Sequence, residues 1–358
     1  MESVGQINMN LSFYSGKTVL ITGHTGFKGS WMCKVLQQVG ANVVGYSLEP
    51  PTNPSLFKMA KLDEHMNSII GDIRDLDKLN QVFDQYQPEI VIHMAAQPIV
   101  RESYVNPVYT YETNVMGTVN ILEAVRLHSC VKSVINVTTD KVYRNNEWAW
   151  GYRENDILDG YDPYSNSKSC SELVTSSYKK SFFQNREVAI STCRAGNVIG
   201  GGDFAKDRII PDCVRAQEKK ETIIVRNPYS IRPYQHVLEP VCTYLKLAEL
   251  QYHDREKYEG NYNIGPDDQD CVTTGELVDM FCKCWGEDAA WEDQSEKNAP
   301  HEAGFLKLDC SKIKQIMEWR PKWHISEAVN NCAKWSKIYL SNGNIVEEMD
   351  REIADYLK

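Results

Sequence analysis

Apolar positions along the chain follow two rhythms. From residue 17 the short runs TVLITG, ANVVGYSL, SIIGDIRD, EIVIHMAAQ, SVINVTTD and EVAISTCRAGN alternate with helix-like segments: SWMCKVLQQVG, then residues 74–86, 108–128 and 165–184. Strand runs that are apolar throughout, rather than on every second residue, belong to sheets buried on both faces. The alternation therefore predicts an α/β fold with a doubly wound parallel sheet. After about residue 195 the rhythm breaks. GNVIGGGDFAKDRIIPD is glycine-rich and irregular, and the strand candidate TIIVRN is followed by helical patterns at 237–251, 274–285 and 325–340. This predicts a smaller C-terminal α/β unit. The expected division is residues 1–195 and 196–358, with segment 235–252 returning to the first part. The last fifteen residues read as an acidic helix.

Composition narrows the class. With 358 residues, 42% hydrophobic and 25% charged, the chain has material for one large or two modest packed domains. A net charge of −10 with no basic block argues against nucleic acid as a partner. It leaves room for a small anionic ligand, which needs only a local positive pocket. No apolar run reaches the ~18 residues of a membrane span. The opening MESVGQINMNLSFYSG lacks the basic-then-apolar pattern of a secretion signal, so a cytoplasmic protein is expected. Most of the eleven cysteines sit in apolar or helical settings, as at Cys33, Cys193, Cys242 and Cys332, and read as small hydrophobes. Cys282 and Cys284 fall on different helix faces with no suitably spaced histidines, so no metal site is expected.

The candidate chemistry begins at TGHTGFKGS (22–30), between the first strand and the first helix. Gly23, Gly26 and Gly29 allow a tight turn, close approach of backbone to a pyrophosphate and close helix–strand packing. Lys28 either adds charge near the phosphate or points to solvent. The second strand ends in YSLEPP, where Tyr46 and Ser47 replace the usual ribose-binding acid, and no arginine awaits a 2′-phosphate. NAD is therefore favoured over NADP. Asp72, ending the third strand, could meet the adenine amino group or cap the next helix. Further on, YSNSK places Tyr164 and Lys168 four apart on one helix face, where an ammonium can favour phenolate and make a proton acceptor for an alcohol. The segment TTDKVY (138–143) would bring Thr139 to the same place.

In order along the chain, TGHTGFKG, HMAAQP, NVMGT, TTDKVY, YSNSK and RAGNVIGGGD resemble the extended short-chain dehydrogenase/reductase family over nearly its whole length. Within it, HTGFKGSW, EWAWGYREND, GYDPYSNSK, NVIGGGDFAKDR and RNPYSIRPYQHVLEP resemble the nucleotide-sugar 4,6-dehydratases, in the branch that acts on CDP-sugars. The resemblance implies a Rossmann domain holding NAD, a smaller domain holding the sugar nucleotide CDP-glucose, and a homodimer paired through two helices of each protomer. It implies a catalytic set of Thr139, Tyr164 and Lys168, with Asp140 as acid and Lys141 where other members carry glutamate. Cofactor contacts are implied for Gly23, Thr25, Gly26, Phe27, Lys28 and Gly29, and further on for Asp72, Ile73, Ala95, Ala96, Gln97 and Asn114, besides Tyr164 and Lys168. Substrate contacts are implied for Asn197, Arg208, Arg226, Arg232 and His301, with Arg232 at a phosphate; Asp203 and Lys206 share the loop of Arg208. Gly304 and Phe305 depart from the basic or tyrosine residues found in the family near the nucleotide.

The implied reaction oxidises carbon 4 of the sugar, eliminates water across carbons 5 and 6, and returns hydride to carbon 6. A 4-epimerase needs the Thr–Tyr–Lys set but no adjoining acid, so TTDKVY favours dehydration. A non-catalytic dinucleotide-binding sensor would be expected to have lost Tyr164, Lys168 or Asp140. All three are present.

Overall fold

In the computed structural model, which describes residues 9–286, 288–295 and 304–358, each of the six apolar runs forms a strand. These are β1 (Thr18–Thr22), β2 (Asn42–Ser47), β3 (Asn67–Ile70), β4 (Ile90–His93), β5 (Ser133–Val137) and β6 (Ala189–Ala195). They pair in the order β6-β5-β4-β1-β2-β3, parallel throughout. Every residue of β4, β5 and β6 is buried, which is why these runs carry no polar alternation. The strand order reverses at β1, between β2 and β4. At such a point the carboxyl ends of the strands open a crevice suited to ligands.

A seventh strand, Asn261–Ile264, pairs with β6 and completes the sheet from beyond residue 196. Its four residues, NYNI, mix polar and apolar side chains, too short a pattern to announce a strand. The helix Leu238–His253 also returns to this sheet: Ser133 Oγ donates to Ala248 O (2.8 Å) and Gln251 Nε2 to Val134 O (3.0 Å). The terminal helix Ile345–Leu357 packs Met349, Ile353 and Tyr356 into the same core as Trp31, Val237 and Trp335. A separate core gathers Cys213, Phe281 and Val329 from the helices Ile209–Lys219, Thr274–Trp285 and Ile325–Leu340.

The helix Pro163–Tyr178 is started by Pro163 at its first position and by Asp162, whose side chain accepts the Ser165 amide. Its inner face is polar rather than apolar. Ser169 Oγ donates to Val142 O (2.7 Å), Ser171 meets Thr118 (2.9 Å), and Asn136 donates to Ser171 (3.0 Å) and Thr175 (2.9 Å). At roughly 0.5–1.5 kcal/mol net for each such bond, these contacts fix the helix against β5 in one register.

Candidate active site

The glycine loop leaves β1 with Gly23 at φ +80. A Cβ on Gly23 would stand 2.9 Å from the Ala95 amide, and one on Gly29 only 2.2 Å from Gly23 O. Larger residues would push the helix off the strand. Gly26 caps the helix Phe27–Gln38 without any side-chain hydrogen bond. Its own Cβ would meet only Gly23 O, at 3.4 Å. The amides of the helix's first turn are thus left for an outside acceptor, which suits a diphosphate. Lys28, on that turn, is half-buried and turned inward rather than solvated. Burial and the neighbouring Arg208 bring its ammonium down to about 8, with Asp140 opposing. These residues fit a dinucleotide.

Beyond the loop, Tyr46 donates to Asp72 O (2.8 Å), and Thr25 Oγ1 donates to Leu48 O while meeting Ser47 Oγ, both at 2.9 Å. Asp72 does not cap the next helix; Asp75 does. The Asp72 carboxylate is instead gripped by Arg74, through Nε at 3.1 Å to both oxygens and Nη2 at 2.8 Å. Ala95 donates its amide to Thr22 Oγ1 (3.1 Å), with Ala96 next to it. Gln97 and Asn114 satisfy each other: the Gln97 amide donates to Asn114 Oδ1 (2.8 Å), and Asn114 Nδ2 donates to Gln97 O (3.1 Å) and Ser167 Oγ (2.9 Å). They tie the wall of the crevice to the helix Pro163–Tyr178. Ile73 packs where a Cβ on Gly117 would come 2.7 Å from its Cγ2. His24, a residue the glycine pattern passes over, lies above Gly45 with Nε2 2.8 Å from Ser68 Oγ, and burial lowers its pKa to about 4.

At the end of β5, Thr139 caps a single turn, Asp140–Val142. Thr139 Oγ1 donates to Asp140 Oδ1 at 2.9 Å. Asp140 is 1% exposed, and its Oδ2 has no partner among the described residues. Gly196, just after β6, makes room for it: a Cβ there would lie 1.8 Å from Asp140 Oδ2. Lys141 follows in the same turn, half-buried. Tyr164 and Lys168 face this turn from their helix, with Lys168 Nζ donating to Val137 O at 3.2 Å.

Burial dominates the electrostatics of that pair. It pushes Tyr164 up to about 12, against Thr139 and Arg208, which lower it. It brings Lys168 down to about 7, helped by Lys28 and opposed by Glu172. The Y-x-x-x-K spacing predicts an ammonium that favours phenolate. The cost of burying the phenolate is the larger effect, and the groups favouring phenolate are Thr139 and Arg208. Arg208 also pairs with Asp203 (2.9 Å). A chain of net charge −10 thus collects Lys28, Lys168 and Arg208 around one crevice.

The outer residues are more dispersed. Arg232 is 5% exposed and donates Nη1 to Ile231 O (3.0 Å), while the Ile231 amide donates to Gly304 O (3.0 Å). Asn197 adopts φ +46 and its carbonyl accepts the Gln235 amide (3.3 Å). Arg226 is held by Asp207 (2.7 Å) and Asp212 (3.4 Å), and Lys206 is exposed. His301 lies outside the described residues. Two groups escaped sequence reasoning: Glu172 and Arg194 form an ion pair at 2.9 Å with both side chains 1% exposed. The signal was a guanidinium in STCRAG, inside a wholly buried strand, and an acid in SELV, on the helix face that carries Tyr164 and Lys168.

This loop, sheet and side-chain cluster define an extended short-chain dehydrogenase/reductase. The family model described as GDP-mannose 4,6 dehydratase matches residues 20–332, and the chain belongs to that family. CDP-glucose 4,6-dehydratase of Salmonella typhimurium is 50% identical over 351 residues, 97% of this chain and 98% of that protein. Among solved structures, dTDP-glucose 4,6-dehydratase of Bacillus anthracis in complex with NAD superposes with a TM-score of 0.73 at 21% identity, covering 90% of this chain and 97% of that one. UDP-glucose 4-epimerase of Thermotoga maritima with UDP-glucose gives 0.76 at 21% identity, with 90% and 99% coverage. At these identities the two structures speak for the fold alone.

Proposed function

We propose that this protein is an NAD-dependent lyase that converts CDP-glucose to CDP-4-dehydro-6-deoxy-glucose. The observation that carries the reading is Asp140, a buried carboxylate with one unpartnered oxygen beside Thr139, Tyr164 and Lys168. Dehydration requires an acid at that position; epimerisation does not. The 50% identity to a CDP-glucose 4,6-dehydratase supports the choice of base. NAD, held by the uncapped helix end after Gly26, Lys28 and the Tyr164–Lys168 face, supplies the hydride acceptor and donor. Tyr164 takes the proton of the sugar 4-hydroxyl as phenolate and becomes neutral, and Thr139 and Arg208 favour the phenolate from which it starts. The 4-ketone acidifies the hydrogen on carbon 5, which Lys141 would remove as a neutral amine, or whose removal by another group it would assist as a cation. Asp140 protonates the departing 6-hydroxyl.

Incubation with NAD and, separately, CDP-, dTDP-, GDP- and UDP-glucose tests this. CDP-glucose should give a keto sugar with its alkaline absorbance and no net reduction of NAD. An epimer formed without loss of water would replace the reading.

The same reading assigns residues 1–195, with the returning helix Leu238–His253, mainly to NAD, and 196–358 mainly to the sugar nucleotide. Arg232 would hold the diphosphate. A guanidinium that grips phosphate equally in ground and transition states contributes uniform binding. Arg232→Ala should therefore raise KM for CDP-glucose with little change in kcat; an unchanged KM would remove Arg232 from the phosphate.

A homodimer is also inferred, built from the helices between residues 107 and 127 and the helix Pro163–Tyr178. Val108 (70% exposed) and Leu127 (52%) from the first of these and Leu173 (56%) from the second leave apolar side chains exposed on these helices that a two-fold mate would cover. Light scattering at micromolar concentration should give twice the chain mass, and a monomer mass would refute the pairing. Eleven unpaired cysteines support a reducing compartment, the cytoplasm.

A further inference from the structure

Behind the Thr139–Asp140 turn lies a buried ion pair that the proposed reaction does not touch. Glu172 stands one helical turn beyond Lys168 and two beyond Tyr164, so the three share a face. Its Oε1 accepts Thr138 Oγ1 (2.6 Å) and Arg194 Nε (2.9 Å); its Oε2 accepts Thr192 Oγ1 (2.7 Å) and Arg194 Nη2 (2.9 Å). Arg194 Nη1 donates onward to the Tyr143 hydroxyl (2.8 Å) and Glu154 O (2.9 Å). Buried ion pairs are commonly matched in stability by apolar residues of the same volume, so stability alone is a weak reason for this one. Its hydrogen bonds have a definite distribution. Thr138 precedes Thr139, Tyr143 follows the Asp140–Val142 turn, and the helix of Glu172 carries Tyr164 and Lys168.

We propose that Thr138 and Glu172 are positioning residues, whose mutual hydrogen bond fixes the Thr139–Asp140 turn against the Tyr164–Lys168 face. The inference rests on the dehydratase reading. Two reacting elements, a strand end and a helix, must keep their spacing while a sugar passes through oxidation and elimination. A misplacement of about 1 Å costs on the order of 10²-fold in rate.

Glu172 has a second consequence. The charged groups that act on Lys168 are Lys28 from the first helix and Glu172 from its own; His93 from β4 in turn feels Lys168, and Tyr164 lies one turn back on the same helix face. Burial and Lys168 hold His93 neutral, near 3. Lys28 lowers Lys168 and Glu172 raises it, so loss of the Glu172 charge leaves Lys168 protonated over a narrower range at neutral pH.

Thr138→Val keeps the side-chain shape and the Glu172–Arg194 pair and removes one hydroxyl; Thr138→Ser keeps the hydroxyl. Thr138→Val should lose ~10- to 100-fold in kcat with KM for CDP-glucose and NAD nearly unchanged, and Thr138→Ser should recover most of the rate. Glu172→Gln, if its melting curve shows it folded, should move the alkaline limb of the kcat profile to lower pH. If Glu172→Gln does not fold, the two Thr138 variants decide alone. Turnover by the wild type together with an unimpaired Thr138→Val, or with an equal loss in Thr138→Ser, overturns the inference and leaves the dehydratase reading standing. A melting temperature lowered with kcat intact overturns it as well, since the bond would then be structural. No turnover by the wild type on any of the four nucleotide sugars overturns both.

Discussion

Tyr164→Phe is expected to cut turnover by roughly 10²–10⁴ while fold and nucleotide binding stay nearly intact. The substitution removes one oxygen, the proton acceptor for the 4-hydroxyl, and leaves the ring. Because burial holds Tyr164 near 12, no large population of phenolate waits at neutral pH. The hydroxyl must act where Thr139 and Arg208 favour its charged form, and phenylalanine has nothing there to act with. Oxidation at carbon 4 is the first step, so the variant should also fail to form NADH in a single turnover. Calorimetric titration should still show binding of CDP-glucose. More than half the wild-type rate would sink the assignment of Tyr164.

Gly196→Ala is expected to be nearly as damaging, at a different step. The glycine does not sit at positive φ, so alanine costs no backbone strain there. Its methyl would instead lie 1.8 Å from Asp140 Oδ2 and 2.1 Å from Cγ, inside any permitted contact. The Asp140 side chain is buried and bonded to Thr139, so it must abandon that rotamer or carry the turn with it. The acid for the 6-hydroxyl is then misplaced, and turnover should fall ~10²–10³-fold. The three atoms nearest this methyl all belong to Asp140, so oxidation at carbon 4 should be the less affected step. Single-turnover absorbance should show NADH that accumulates and is not consumed. Normal turnover would mean that Asp140 is not the acid, or that the Gly196 loop moves freely away from it.

Much of this was legible from residue order. The buried strands β1, β4, β5 and β6 are short apolar runs bounded by turns, a local pattern that needs no knowledge of neighbours. The glycine loop and the Tyr164–Lys168 spacing are also local, because one turn of backbone decides who is adjacent. The strand Asn261–Ile264 was not legible, since four mixed residues at a sheet edge take their identity from β6. The capping alternative for Asp72 failed because Arg74, two residues on, folds back onto the carboxylate and leaves the cap to Asp75.

The sequence by itself determined the class of fold, the loop that suits a diphosphate and the set of side chains brought to the ends of β1, β5 and β6. Periodicity and short spacings encode these things, and backbone geometry converts spacing directly into adjacency. Only the tertiary structure decided the charge state of those side chains and their support. Burial, which depends on what packs from elsewhere in the chain, raises Tyr164 and lowers Lys168 against the expectation from their spacing. It also joins Thr138, Glu172 and Arg194, from three separate elements, beneath the turn that carries Asp140. Desolvation and long-range packing act between residues distant in sequence, so local order can show a charge such as Arg194 in a buried strand but not the partner that it meets.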